Sequence, residues 1–458
     1  MTTPLVVALD PVPDPLTLLE RVASLPSPAF LDGAAGDDDL GRWSYLAWDP
    51  VAVMEASAEE WETVRDRLRT SCRQPPPGAE LPPFIGGWIG WLGYELGRAF
   101  DRQPIATDDR LAAPELSLAL YDLVVAWDHR TGRAWLISTG VDAHGTPDAD
   151  RAARRLGEAS ALLAALGSRQ IAPLSPRREA AAPDVTTSFT PDSYRMAVAE
   201  VMGRIRAGEI FQANLTERFR MPFTGDRLTL YRRLRDGAPG SHAAYLDRGR
   251  IAALSMSPER FLRYDATSRT IEARPIKGTR PRDQDPTRDA ALASILRDSV
   301  KDRAENVMIV DLLRNDIARV AEPDSIVVSA LCRLESYRAV HHLVSVVEGR
   351  LRRDRDALDL IAATFPGGSI TGAPKLRAMA ILAELEQETR GVYCGAIGWF
   401  GLDGSLDLNI AIRTVTLADG QAIIGAGGGV TLLSDPEEEY QEVLAKVGAL
   451  VAAVGKAS

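Results

Sequence analysis

Lysine is almost missing from this chain. Of 458 residues only Lys277, Lys301, Lys375, Lys446 and Lys456 are lysine; Lys and Arg together number 53, which leaves 48 arginines. A coding bias explains most of an arginine-rich surface. Arginine, however, keeps its proton in proteins, whereas a desolvated lysine can release one. Each surviving lysine is a candidate for work that arginine cannot do, and three of the five fall between 277 and 375. Cysteine is equally scarce. Cys72, Cys332 and Cys394 are far apart and odd in number, which argues against a disulfide framework, fits a reducing, cytoplasmic compartment and shows no metal-ligand spacing. No run of about 18 apolar residues occurs, so no membrane span is expected. The first ten residues lack a basic segment and soon meet Pro11, Pro13 and Pro15, unlike a secretory signal. Positive charge is also in deficit. A net charge of −10 speaks against nucleic acid as a partner, while leaving room for a local basic pocket.

What remains is the composition of an ordinary globular protein, long enough for two or three domains. Residues 1–165 mix short apolar strands, such as 5–8, 116–127 and 134–138, with helical stretches at 59–71 and 148–166. A Pro-, Ala- and Ser-rich linker is expected over 166–188, and a second unit over 189–455. That unit begins with Thr190-Pro191-Asp192, a capping hydroxyl followed by Pro at the first helical position. Its helix is expected to end near Ala207, before Gly208. Strands are expected at 251–255, 270–273, 410–417 and 421–425, the last two joined by an Asp419-Gly420 turn. Residues 286–320 and 438–454 read as helix. Strands in hairpins between helices predict an α+β fold with antiparallel sheets.

Four groups of residues carry chemistry. Arg274-Pro275-Ile276-Lys277-Gly278-Thr279-Arg280 places a lysine between arginines. Like charges and burial both favour the neutral amine that a nucleophile needs; an anion-binding loop explains the segment equally well. Asp302 and Glu305 are three residues apart, as are Glu439 and Glu442, so on helices each pair shares a face. Two such helices can hold a hard cation and a substrate carboxylate between them, although solvated acidic surface is the commoner fate of one pair. Pro366–Lys375 is glycine-rich but lacks the Gly-Lys-Ser/Thr ending of a P-loop. Gly425–Gly429 lies among strand-like residues and does not open a helix, so it is not a dinucleotide fingerprint. Both stretches can present backbone N–H groups to a carboxylate.

Taken in order, Ser257–Phe261, the Pro275–Arg280 segment, the 302–316 run containing Arg-Ala-Glu-Asn, Phe365–Met379, Ile410–Thr414 and the stretch from Gly425 to Glu442 closely resemble the chorismate-utilising family. The likeness covers roughly 190–450 and extends more loosely to Gly41–Tyr45 and Phe84–Trp88. It implies one compact body of stacked antiparallel sheets flanked by helices, to which the N-terminal part contributes. It further implies Mg2+ on the ring carboxylate of chorismate, held by Glu305 and Glu442 with Asp302 and Glu439 beside them or through water. Tyr393 and Arg413 match the pair holding the enolpyruvyl carboxylate. Ser369 and the backbone of Gly427, Gly428 and Gly429 match contacts to the ring carboxylate, and His342, rather than His341, matches a histidine near the reacting ring.

Two positions separate the branches of that family. Gln212 stands where members that add water carry a basic lysine, and Gln has no proton to exchange; ammonia is then the nucleophile. Lys277 resembles the Pro-Ile-Lys-Gly-Thr wording of the aminodeoxychorismate branch, on the route to 4-aminobenzoate and folate, where anthranilate synthases resemble Pro-Ile-Ala-Gly-Thr. In that branch the lysine is proposed to attack C2 of chorismate, and Glu259 matches the general acid/base. Gly237–His242 departs from the family's tryptophan-pocket wording, which speaks against the tryptophan binding that Ser44 would serve. None of the cysteines stands in a glutaminase motif, so a separate glutamine amidotransferase subunit is the expected ammonia source. Anthranilate synthesis, another aminated chorismate, and a non-catalytic anion- or nucleotide-binding protein are the competing readings.

Overall fold

A computed structural model describes residues 3–33, 39–72, 81–101, 106, 113–165, 174, 184–338 and 340–458. Most of the 166–188 linker lies outside the described residues. Among them, twelve strands form one sheet and ten form another, with neighbouring strands paired antiparallel, so the fold is α+β. The first sheet runs from Leu5–Ala8 through Arg133–Ser138, Leu123–Asp128, Trp43–Ala47 and Ala29–Asp32 into His242–Asp247, Ile251–Ser257, Thr414–Ala418, Gln421–Val430, Gln212–Pro222 and Gly372–Ala373. The second has Ile276–Pro281 at one edge, next to Val340–Arg350, and Ala52–Ala56 at the other. N-terminal strands thus sit inside both sheets, hydrogen-bonded to strands from beyond residue 190.

Alternation explains how the layers stack. In Leu123–Asp128, residues 123, 125 and 127 belong to the core beneath the helices of the first sheet, while 124 and 126 belong to the core between the two sheets. A strand buried on both faces reads as a continuous apolar run. The order is helices, sheet, sheet, helices; Val300–Ala318 packs behind the second sheet and Pro436–Ala457 behind the first.

The expected single strand over 116–127 is two. Leu116–Tyr121 lies in the second sheet and Leu123–Asp128 in the first. The chain changes sheet at Asp122, fully buried and held by Arg151 at 2.9 Å and Arg155 at 3.2 Å. The helix expected over 286–320 is also two, Pro286–Asp298 and Val300–Ala318. Ser299 breaks them, its hydroxyl accepting the Asp302 N–H at 3.2 Å as the cap of the second. The Pro191–Arg206 helix is capped by Thr190, as the sequence predicts, and Pro436–Ala457 by Asp435, which starts that helix two residues before the expected 438. The Asp419-Gly420 turn has φ of +49° and +75°, the left-handed pair that a two-residue hairpin loop requires.

Candidate active site

Two further places where the chain passes from one sheet to the other build the centre of the site. Glu259 lies between Ile251–Ser257 of the first sheet and Arg260–Asp265 of the second. Arg413 lies on the return, between Leu406–Asn409 and Thr414–Ala418, with φ +49°. The crossings are tied together: Ile410 N–H donates to Glu259 O at 3.0 Å, and Ser257 Oγ donates to Ile410 O at 2.6 Å. A residue at a crossing is outside the regular alternation and can turn its side chain toward the gap between layers. The strand expected over 410–417 therefore begins only at Thr414.

Glu259 is 4% exposed. Burial pushes its carboxyl up to about 7, against the pull of the Ser369 hydroxyl, the Lys277 charge and the Ile276 N–H. A carboxyl titrating near neutrality can both give and take a proton. Lys277 sits in a β-bulge: the pairing of Ile276–Pro281 with Val340–Arg350 slips between Ile276 and Thr279, and Gly278 adopts φ +86°. A bulge re-aims a side chain, and here Lys277 Nζ donates to Ser369 O at 2.9 Å. Ser369 thus touches Lys277 through its carbonyl and Glu259 through its hydroxyl.

The arginines flanking Lys277 do not crowd it. Arg274 pairs with Glu335 at 3.0 Å and Arg280 with Asp302 at 3.3 Å. The charges that act on Lys277 are the carboxylates of Glu259, Glu305 and Glu442, so the expected positive surrounding is corrected to a negative one. Three-residue spacing on a strand sends side chains to opposite faces, which linear proximity conceals.

His342 Nδ1 shares a hydrogen bond with Thr279 Oγ1 at 2.8 Å, and its Nε2 is buried without a partner. Burial, and then the Arg413 charge, lower its pKa to about 3, so the ring is neutral. His341 is engaged elsewhere, with Asp289 at 2.9 Å and Ser336 at 2.8 Å. Arg413 makes no ion pair among the described residues, and burial lowers its pKa. An unpaired, desolvated guanidinium is an anion site waiting for its anion. Tyr393 is buried against Gly425, where a Cβ would strike its ring, and under Arg218 at 5.6 Å.

The glycines 427–429 are not a loop. Strand Gln421–Val430 runs through them, so the strand expected to stop at 425 continues five residues further. On one side Gly427, Gly428 and Gly429 pair with Thr216, Leu215 and Asn214. On the other, pairing with Thr414–Ala418 ends at Ile424, so among the described residues no strand covers that edge. A Cβ on Gly428 would lie 2.9 Å from Glu439 Oε2 and 4.0 Å from Glu442 Oε1; one on Gly429 would meet the Gln212 amide and lie 3.1 Å from Glu305 Oε2. Glycine is what lets both acidic helices reach the strand, from its two faces. Gln212 is 1% exposed and its Oε1 has no partner.

The acids differ in their attachments. Glu305, 9% exposed, has no hydrogen-bond or ion-pair partner among the described residues, and burial raises its pKa. Burial also pushes Glu442 up, but Lys446, 2.7 Å away, and other lysines outweigh it and hold it below its usual value. Glu439 is bound by Lys301 at 2.9 Å and Ser434 at 2.7 Å, and Asp302 by Arg280. Among the described residues no three His, Cys, Asp or Glu side chains form a ready cage for an ion. One carboxylate from each helix, completed by water and a substrate oxygen, nevertheless fits a hard octahedral cation such as Mg2+.

Sequence reasoning missed Lys301 and Lys446 as members of this cluster, although the scarcity of lysine marked them. It also missed Arg390, which donates to Ile370 O at 2.7 Å and Asn214 O at 2.8 Å and pairs with Glu386, bracing the residues beside Ser369 and opposite Gly429. No local pattern announced it. A separate cavity of about 310 Å³ is lined by Asp32, Arg42, Tyr45, His242, Arg260 and Asp407 and by none of Glu259, Lys277, Glu305, His342, Arg413 and Glu442. Ser44, beside it, bonds His129 at 2.7 Å and Gly33 N–H at 3.0 Å. No helix of the described residues is long and apolar enough to cross a membrane.

The chain as a whole is similar to known proteins. Residues 29–452 match the chorismate binding enzyme family. The chain is 38% identical to anthranilate synthase component 1 of Streptomyces coelicolor over 98% of its own length and 88% of that protein. It is 38% identical to aminodeoxychorismate synthase component 1 of Salmonella typhimurium over 94% and 93%. Anthranilate synthase component I of Streptococcus pneumoniae superposes with a TM-score of 0.78 at 31% identity, over 90% of this chain and 92% of that one. The chain belongs to the chorismate binding enzymes and is an enzyme acting on chorismate.

Proposed function

We propose that this chain replaces the C4 hydroxyl of chorismate with an amino group, giving 4-amino-4-deoxychorismate for 4-aminobenzoate and folate synthesis, with ammonia from a separate glutamine amidotransferase subunit. The observation that carries the reading is Lys277, aimed by its bulge at the carbonyl of Ser369 beside Glu259. Overall identity does not choose the branch, since relatives of both names stand at 38%.

The steps balance on these residues. Lys277 passes a proton to the Glu259 carboxylate, its freed amine forms a bond to C2, the ring double bond shifts, and the C4–O bond breaks as Glu259 delivers that proton, releasing water. Ammonia then bonds to C4, the double bond shifts back, and the C2–N electron pair returns to Lys277. Glu259, titrating near 7, takes the proton released by the new C4 ammonium and is ready for the next cycle. Arg413 and Tyr393 hold the enolpyruvyl carboxylate, and the open edge of Gly427–Gly429 faces the ring carboxylate. Glu305 and Glu442 would hold Mg2+, which supplies positive charge to that carboxylate. His342 stays neutral beside the ring, and Gln212, having no basic group, does not activate water.

The test is product analysis by mass spectrometry after incubation with chorismate, Mg2+ and ammonium salt. Aminodeoxychorismate as the released product supports the reading; anthranilate with pyruvate refutes it. The chain alone is expected to use ammonium and not glutamine, and to gain glutamine use when an amidotransferase subunit is added.

A further inference from the structure

Three of the five lysines, from distant parts of the chain, converge on the four carboxylates of the two acidic helices. Lys277 acts electrostatically on Glu305 and Glu442. Lys301 precedes Asp302 on its helix yet reaches across to Glu439 at 2.9 Å, and its charge also acts on Glu305 and Glu442. Lys446, one turn beyond Glu442, bonds that carboxylate at 2.7 Å and the carbonyl of Gly427 at 2.8 Å. With Asp302 taken by Arg280, Glu305 is the one carboxylate of the four with no ion pair among the described residues.

A doubly charged cation entering this cluster alone finds one free negative charge. To engage Glu442 it must displace Lys446 from a half-exposed pair, and it sits near the Lys301 charge, which is paired with the buried Glu439. A substrate with two carboxylates changes the balance, because its ring carboxylate brings a negative charge to the open edge of strand Gln421–Val430 while Arg413 takes the other. We propose that Lys301 and Lys446 are internal counterions: they hold Glu439 and Glu442 in place in the free enzyme and keep a divalent cation from binding firmly until the dianionic substrate arrives. This rests on the reading of Glu305 and Glu442 as Mg2+ ligands, and goes beyond it by assigning the order in which the cation and the substrate engage.

The test measures Mn2+ binding by loss of the free-ion electron paramagnetic resonance signal, with the full chain and no ammonia, so that turnover does not intervene. Lys301→Met and Lys446→Met remove the charge and keep an unbranched side chain. Lys446 is half exposed, so its replacement is not expected to disturb folding. Lys456→Met, about 15 Å further along the same helix, is the control for net charge. Without chorismate, Lys301→Met and Lys446→Met are expected to bind Mn2+ about tenfold or more tightly than the parent chain, and Lys456→Met to bind like the parent. Adding chorismate is expected to tighten binding most in the parent chain. If neither site variant gains affinity, or if Lys456→Met gains as much, the counterion role is overturned while the metal site stands. If Glu305→Gln binds Mn2+ as the parent does, with and without chorismate, the metal reading itself fails and takes the inference with it.

Discussion

Replacing Glu259 by Gln separates what this residue costs the fold from what it does for the reaction. The carboxyl is nearly inaccessible, and burial outweighs the Ser369 hydroxyl, Lys277 and the Ile276 N–H, so it titrates near 7 rather than 4.5. The folded chain thus binds this proton more tightly than the unfolded chain. Its contribution to stability is complete below pH 4.5 and is lost as the pH rises through 7. From 4.5 to about 7, at about 1.4 kcal/mol per pH unit, the ionised side chain costs the fold roughly 3 kcal/mol. Gln has nearly the shape of the neutral acid and no charge to bury. The stability of Glu259→Gln relative to the parent should therefore rise by roughly 2–3 kcal/mol between pH 5 and pH 8, read from urea denaturation midpoints at both pH values. Turnover should fall by about 10²–10⁴, the usual worth of a general acid/base, and the limb near pH 7 in the kcat/KM profile should vanish. A variant no more stable at pH 8 than at pH 5, relative to the parent, would show that the charge is not buried at a cost. Retained turnover with the parent's pH profile would remove Glu259 from the chemistry.

Three other outcomes follow from the same geometry. Lys277→Arg keeps the charge but not the nucleophile, so it should lose aminodeoxychorismate formation. The parent chain, given chorismate and Mg2+ without ammonia, should carry an adduct on the peptide containing Lys277, detectable by mass spectrometry; no adduct together with an active Lys277→Arg would reduce Lys277 to a binding charge. Glu305→Gln should abolish turnover with an unchanged circular dichroism spectrum, and excess chelator should silence the parent; full activity in chelator contradicts the Mg2+ assignment. Arg413→Met removes a partly buried, desolvated guanidinium that has no ion-pair partner among the described residues, so the free chain should gain thermal stability. KM for chorismate should meanwhile rise about tenfold to a hundredfold, the worth of about 1.5–3 kcal/mol for hydrogen bonds to a charged group; an unchanged KM would place the enolpyruvyl carboxylate elsewhere.

The sequence by itself determined the elements whose cause is local. Thr190 and Asp435 cap their helices, Asp419-Gly420 closes its hairpin, and three-residue spacing pairs the acids, because each depends on residues within one turn of chain. Ordered motifs also sufficed for the family, and the strands in hairpins for the fold class. What only the tertiary structure decided is whatever depends on partners far apart in sequence. Lys277 looked embedded in arginines, yet Glu335 and Asp302 draw those arginines away and the carboxylates of Glu259, Glu305 and Glu442 surround it instead. The glycines 427–429 lay beyond the expected end of their strand, yet they continue it, and its bare backbone lets two helices bring their acids close. Glu259 and Arg413 owe their positions to the chain leaving one sheet for the other, and Lys301 reaches Glu439 across 138 residues. Electrostatics acts through space and burial belongs to the packed layers, so neither is written in the order of residues along the chain.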